Sequence, residues 1–134
     1  MIAARPRVRV HVVAIDDEHR MLLDRRPGTQ TWALPWGYLG VGEDPSRMAR
    51  SLVHDTGAAP TMPRVQSVES AIEHGDHFLD VTLHCSAERI WKPTTGGRSS
   101  NALWWSLDEI SSLELSPRAR SALVNAWAVL WPQV

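Results

Sequence analysis

The chain has 134 residues, 43% of them hydrophobic, and this length suits one globular domain, residues 1–134, with a single core. The formal net charge of −1 gives no general positive field, so we expect neither nucleic acid nor an anionic membrane as a partner. The single cysteine, Cys85, excludes an internal disulfide, and no apolar run has the length of a membrane span or the features of a signal peptide. We therefore expect a soluble, cytoplasmic protein.

The first predicted elements are strands. Val8, Val10 and Val12 alternate with polar residues, which is the period of a half-buried strand. The apolar residues 21–23 follow a polar turn and predict the returning strand of a hairpin. Residues 32–34 predict a further short extended segment.

A glycine-rich loop and a helix come next. Gly37, Gly40 and Gly42 predict a loop. Residues 44–46, Asp-Pro-Ser, have the chemistry of a helix start, with Asp or Ser as the cap and proline in the first turn. Gly57 predicts the end of this helix.

The second half of the chain predicts more strands and a last helix. Two strands, from Val65 to Ile72 and from Phe78 to Ile90, flank the polar turn 73–76. Residues 103–105 predict a short strand, and Ser116-Pro117 predicts the start of the last helix. Without repeats or linkers, this pattern indicates one mixed α+β domain.

Three residues of the first helix indicate a place for metal chemistry. Ser51, His54 and Asp55 stand at positions i, i+3 and i+4 and therefore share one helix face. A carboxylate at each would hold Mg²⁺, which would neutralise a diphosphate and activate a water. Only Asp55 supplies a carboxylate, so affinity for Mg²⁺ should fall steeply, while His54 suits Mn²⁺ or Zn²⁺ better than Mg²⁺.

The segment from Leu34 to Gly57 resembles the Nudix box, GX5EX7REUXEEXGU with U an apolar residue, of the Nudix hydrolase superfamily. The matching positions are Gly37, Gly42 and Glu43 in the loop, Ala49, Arg50 and Leu52 in the helix, and Asp55-Thr56-Gly57 at its end. The opening hairpin, the lead-in 32–35 and residues 103–109 also lie where the family has such elements. The resemblance implies an α+β fold of the Nudix type, a mixed β-sheet packed between helices as an α/β/α sandwich.

The box is degenerate. Trp36 stands where the family commonly has its first glycine, and Gly40 where many members have glutamate. Ser51 and His54 replace two glutamates of the helix. Six residues, 44–49, separate Glu43 from Arg50, where the consensus has seven. The loop 96–101, often acidic in the family, contains no carboxylate.

The resemblance assigns roles to these positions. It implies Asp55 and His54 as ligands of Mg²⁺ or Mn²⁺, and His54, Asp55 and Glu43 as catalytic residues. Gly42, Arg50 and Gly57 would be structural residues of the motif, with Glu43 paired to Arg50. A salt bridge to an arginine is the alternative for Asp55, and a favourable partial charge at the helix C-terminus is the alternative for His54.

Other residues are candidates on their own chemistry. Arg25 and Arg26 could hold phosphate or lie in a solvated loop. Trp36 and Gly37 are candidate substrate-binding residues, and the Trp36 indole would either block part of the space for a phosphate or offer a stacking face. The polar residues 73–77 form either a solvated turn or a loop beside the site. Asp80 and His84 alternate on the following strand and either face the cleft or pair across strands.

Two functions remain open at this point. The first is a Nudix-type hydrolase of a nucleoside diphosphate or another small organic diphosphate, in which a metal assists the attack of water on phosphorus. The second is a divergent protein of that fold without this activity and without a required metal. It would be a small-molecule or partner-binding module, or an enzyme using His54, Asp55 or the cluster from Glu73 to His77. The resemblance also makes a homodimer an option.

Overall fold

A computed structural model describes residues 5–25, 28–89 and 102–130 of the chain, with only the backbone described at residues 89 and 126–130. Within these ranges there are eight strands and three helices. The strands are β1 (Arg7–Asp16), β2 (Met21–Arg25), β3 (Trp32–Ala33), β4 (Trp36–Tyr38), β5 (Ala58–Pro60), β6 (Arg64–Glu73), β7 (Asp76–Arg89) and β8 (Leu103–Trp105). The helices are α1 (Pro45–His54), α2 (Leu107–Ile110) and α3 (Pro117–Leu130).

The described strands form one mixed sheet. Strands β1 and β7 run parallel at its centre, with Val10 beside Val81 and Val12 beside Leu83. The remaining strand pairs are antiparallel: β4 and β2 pair with β1, β5 and β6 pair with β7, and β3 and β8 pair with β2. The predicted hairpin of β1 and β2 is therefore present.

A tight turn joins β6 to β7. His74 and Gly75 lie between the strands, and both have positive φ angles, 52° and 83°. A two-residue hairpin turn of this kind needs positive φ at both positions, which glycine adopts without steric cost. The turn fixes the register in which Glu73 pairs with Asp76.

Helix α1 begins and ends where the sequence predicts. Asp44 is its N-cap and accepts a hydrogen bond from the N–H of Ser46 at 3.1 Å, while Pro45 occupies the first turn. Gly57, with φ of 87°, donates its N–H to the carbonyl of His54 at 2.9 Å and closes the C-terminal end. These caps satisfy backbone groups that a helix leaves without internal partners.

Apolar side chains cover both faces of the sheet. Val10, Val12 and Leu83 pack with Ala49 and Val53 of α1 on one face, which we call the α1 face. Val13, Leu23 and Trp32 pack with Ile110 of α2 and Ala119 of α3 on the other, which we call the α3 face. Each fully buried valine or leucine stabilises the fold by about 1.5–3 kcal/mol. The predicted α+β fold, a mixed sheet between helices, is confirmed.

One local prediction is wrong, and one strand has no signal in the sequence. Gly37 does not lie in a loop: it pairs with Val10 within strand β4, because a Cβ-free residue lets this strand lie against the methyl end of Met48 in α1. Strand β5 was not predicted, since Ala58, Ala59 and Pro60 carry no strand pattern and owe their conformation to pairing with β7.

None of the described helices has the length and apolar character required to cross a bilayer.

Candidate functional site

The loop before α1 is shaped by Glu43. Its Oε1 accepts a hydrogen bond from the N–H of Gly40 at 2.8 Å, and a Cβ at Gly40 would collide with this carboxylate. Gly42, between the two, has φ of 81°, a conformation that favours glycine. The predicted ion pair between Glu43 and Arg50 is absent from the described residues, because the carboxylate is engaged with the nearby loop backbone instead.

Helix α1 presents a cationic face. Arg47, Arg50, Ser51 and His54 stand on one side of the helix, spaced as i, i+3, i+4 and i+7. Together with Pro60 of β5 they line an open groove of about 210 Å³, which we call the α1 groove. None of these lining residues carries a carboxylate. The face that holds glutamates in the box consensus therefore offers two guanidinium groups and an imidazole.

Asp55 lies at the end of this helix. It is the C-cap residue and donates its N–H to the carbonyl of Ser51 at 2.9 Å. Its side chain is exposed and does not line the α1 groove. The structure thus brings His54 together with Arg47 and Arg50, and leaves Asp55 outside that set.

The predicted metal does not fit the residues present. In the described parts of the chain, no three Asp, Glu, His or Cys side chains stand close enough to hold an ion together. The stretches outside those parts contain no Asp, Glu, His or Cys that could complete a set. Asp55 and His54 alone would provide two ligands beside two arginines, whose positive charge repels a divalent cation. The described residues therefore do not form a site for a divalent cation.

The side chain of Trp36 lies on the face of the sheet opposite to the one on which Gly37 meets α1. Gly37 faces Met48 of α1, so Trp36 lies on the α3 face, where its ring is 6.0 Å from that of His11. Trp36 also packs edge-on against Tyr38 at 5.1 Å. The structure does not bring Trp36 to the α1 groove, and ligand stacking on this indole stays a prediction.

Of the two arginines that precede residues 32–35, only Arg25 lies within the described residues. Arg25 is exposed, and its guanidinium lies 5.2 Å from the ring centre of Trp32, a cation–π contact. It does not line the α1 groove. Arg26 falls outside the described residues, so its predicted phosphate contact stays a prediction.

A buried charge cluster on the α3 face was only partly foreseen. Asp80 of β7 is fully buried and receives hydrogen bonds from Arg9 of β1 at 2.7 and 2.9 Å. Arg118 of α3 donates to its Oδ2 at 3.0 Å, and Nε2 of His11 lies 2.8 Å from its Oδ1. Because an ionised carboxylate only accepts, we assign the proton to Nε2 of a neutral His11.

The pKa shifts of the cluster follow from this packing. Burial lowers the pKa of His11, so the imidazole is held neutral. Burial alone would raise the pKa of Asp80, but the hydrogen bonds from Arg9 and His11 and the charge of Arg118 lower it below its usual range. The signal in the sequence was a carboxylate within the apolar run 78–83, since such a group must be paired when buried.

A second groove borders this cluster. It also measures about 210 Å³ and lies between β6, β7 and α3, with Glu69, Thr82, Arg118 and Asn125 among its lining residues. Nη1 of Arg118 stands 3.9 Å from Glu69. The cation of this groove, Arg118, is already paired with Asp80. An anion would therefore be attracted less strongly here than in the α1 groove.

The polar residues 73–77 form an exposed turn. Glu73 accepts hydrogen bonds from Arg9 at 3.2 and 2.7 Å, which lower the pKa of Glu73. His77 lies 2.6 Å from the hydroxyl of Ser70. These contacts explain the cluster as a paired hairpin end, and the structure does not bring it to the α1 groove.

Solved structures share this architecture. No protein-family model matches the sequence, and a search of curated proteins found no match. Among solved structures, a NUDIX hydrolase from Nitrosomonas europaea is similar with a TM-score of 0.72 and 20% identity, over 97% of each chain. A MutT NUDIX hydrolase from Burkholderia pseudomallei aligns at 0.66 and 23% identity, over 90% of this chain and 98% of that one. The NUDIX domain of Shewanella oneidensis NrtR, complexed with ADP ribose, aligns at 0.69 and 15% identity, over 96% and 90%.

Proposed function

We propose that this chain, which has the Nudix fold, binds a small phosphate-bearing molecule in the α1 groove through its own cationic side chains. The observation that carries the proposal is the set of Arg47, Arg50 and His54 around a groove of about 210 Å³. The protein would then act as a ligand-binding module, the second of the two functions open from the sequence.

Phosphate suits the chemistry of this groove. A guanidinium presents a planar fork of donors that matches two phosphate oxygens, and charge-assisted hydrogen bonds of this kind are about twice as strong as neutral ones. The hydroxyl of Ser51 and the imidazole of His54 add further donors on the same face. The protein would therefore supply the cations for the phosphate from its own side chains.

The competing hypothesis is hydrolysis of a diphosphate by a metal on Asp55 and His54, with Glu43 assisting. Glu43 is engaged with the N–H of Gly40, and Asp55 lies outside the groove. The fold likeness is compatible with either function, so the two must be separated by experiment.

A nucleoside diphosphate sugar is the first ligand to test. The NUDIX domain of Shewanella oneidensis NrtR is described with ADP ribose bound, and it shares the fold of this chain. ADP ribose, ADP and inorganic pyrophosphate form a graded series with a common diphosphate. Affinity across the series separates recognition of the diphosphate from recognition of the nucleoside.

The experiment is calorimetric titration of these compounds into the protein and two variants. Arg50→Gln removes one charge-assisted contact, so its dissociation constant should rise by about tenfold or more. Arg120→Gln changes an exposed arginine of α3 that does not line the α1 groove and should leave affinity unchanged. Equal affinity in all three proteins would place any binding elsewhere and overturn the proposal.

A further inference from the structure

Strand β6 presents an apolar stripe that no described element covers. Val65, Val68 and Ile72 are 57%, 56% and 77% exposed, high values for strand residues of this type. They pair with Leu83, Val81 and His77 of β7 and therefore point to the same face of the sheet, the α1 face. Helix α1 packs over β1 and β5, and the stripe lies beyond it.

The same strand has an open edge. One side of β6 pairs with β7 along its whole length, and within the described residues no strand pairs with the other side. An open edge carries backbone N–H and C=O groups that can extend the sheet onto another chain. Apolar side chains beside such an edge indicate that it is covered in solution.

A symmetric pair of two β6 strands has one preferred register. A shift in register between Val65 and Ser67 leaves residues 67–73 as the regular segment. In an antiparallel pair, opposed residues must point to the same face, so a symmetric pairing is centred on one residue. Ser70 is the midpoint of residues 67–73, and centring there uses the whole regular segment.

Charge selects the same centre. Centring on Glu69 would oppose two glutamates directly, and centring on Ala71 would oppose Glu69 to Glu73 twice, which is unfavourable. With Ser70 at the centre, Val68 of one copy lies opposite Ile72 of the other, and Glu69 lies opposite Ala71. The two apolar stripes then join, and no like charges lie directly opposite each other.

We propose that two copies of this chain form a dimer by antiparallel pairing of their β6 strands, with the twofold axis at Ser70. The pairing extends the sheet across both copies and covers Val68 and Ile72. It leaves the α1 groove out of the contact, because none of the residues lining that groove belongs to β6. The inference goes beyond the proposed ligand binding and does not depend on it.

The mass of the full chain in solution, measured by sedimentation velocity over a range of protein concentrations, tests the dimer. We expect twice the chain mass. The double variant Val68→Lys, Ile72→Lys should sediment as a monomer, while Val41→Lys, at a fully exposed position outside the stripe, should stay dimeric. Circular dichroism and a thermal melt check that each variant is folded. A monomer at every concentration, or a dimer that the two lysines leave intact, overturns the proposal.

A cysteine scan tests the register. Opposed residues of an antiparallel pair have Cα atoms about 4.5–5.5 Å apart, within the range of a disulfide, so Ser70→Cys should form an intermolecular disulfide under mild oxidation. Ser67→Cys is the control, since the two copies of residue 67 would lie about 20 Å apart along the pair. Native Cys85 is buried and should not react. A dimer in which Ser70→Cys does not cross-link overturns this register.

Discussion

Asp80 is the residue on which the buried charge of this molecule converges. Its carboxylate is fully buried and bonded to Arg9 of β1, His11 of β1 and Arg118 of α3. A charge in this position is tolerated because each of its oxygens meets a donor. The cluster ties α3 to the centre of the sheet at a point where apolar packing gives way to polar side chains.

Removing this charge should be costly. Asp80→Asn leaves Arg9 and Arg118 facing a neutral amide, and breaking a buried ion pair from one side typically costs about 3–5 kcal/mol. Urea unfolding should show a loss of stability of this order. Asp76→Asn, at the exposed start of β7, should stay within about 0.5 kcal/mol of the parent. A loss below about 1 kcal/mol for Asp80→Asn would contradict the described cluster.

His11 should make the fold sensitive to mild acid. Burial lowers its pKa in the folded state, so protons bind the unfolded chain more readily. The contribution of His11 is therefore complete above its unfolded pKa of about 6.5 and is lost as pH falls below that value. The lowered pKa of Asp80 acts at lower pH, beneath the unfolded value of about 3.9.

The measurement is the free energy of unfolding at about pH 7 and about pH 5, in the parent and in His11→Gln. Glutamine can still donate to Asp80 but does not titrate, so the variant should lose less stability between the two pH values. Equal losses in both proteins would show that His11 does not titrate against folding.

The caps of helix α1 fix where the helix begins and ends. Asp44 holds the N–H of Ser46, and Gly57 turns the chain away after His54. The same ten-residue helix carries Arg47, Arg50 and His54, so its start point decides which side chains share the groove face.

Loss of the cap should therefore be measurable. Asp44→Ala should destabilise the protein by about 1 kcal/mol, the usual value for an N-cap, in urea unfolding. Asp17→Ala, in the exposed turn after β1, serves as the control and should change stability little. An Asp44→Ala variant as stable as the control would mean that another group caps α1.

Periodic patterns in the sequence predict most strands of the sheet. Val8, Val10 and Val12 gave the alternation of β1, and the turn at 74–75 separated β6 from β7, because these signals are local. Strand β5 and the strand position of Gly37 depend on pairing with distant residues, so no local pattern predicts them.

The candidate site could be predicted only in part for the same reason. Helical spacing correctly places Ser51 and His54 on one face, and it also accounts for Arg47 and Arg50. The cluster around Asp80 joins Arg9 and Arg118, which lie 71 and 38 residues from it along the chain. Residue spacing cannot reveal contacts between positions so far apart in the chain. The one signal in the sequence is the carboxylate within an apolar strand.

If the protein's own cations bind phosphate, binding should not depend on a metal. Calorimetric titration of ADP ribose would be run with EDTA and then with Mg²⁺ or Mn²⁺, on the parent and on Asp55→Asn, with ³¹P NMR to detect cleavage. We predict equal affinity in EDTA and in metal, no cleavage, and unchanged or tighter binding in Asp55→Asn, because that variant removes a negative charge near the groove. Binding or cleavage that requires the metal and disappears in Asp55→Asn would show that a metal on Asp55, and not the arginines alone, holds the phosphate.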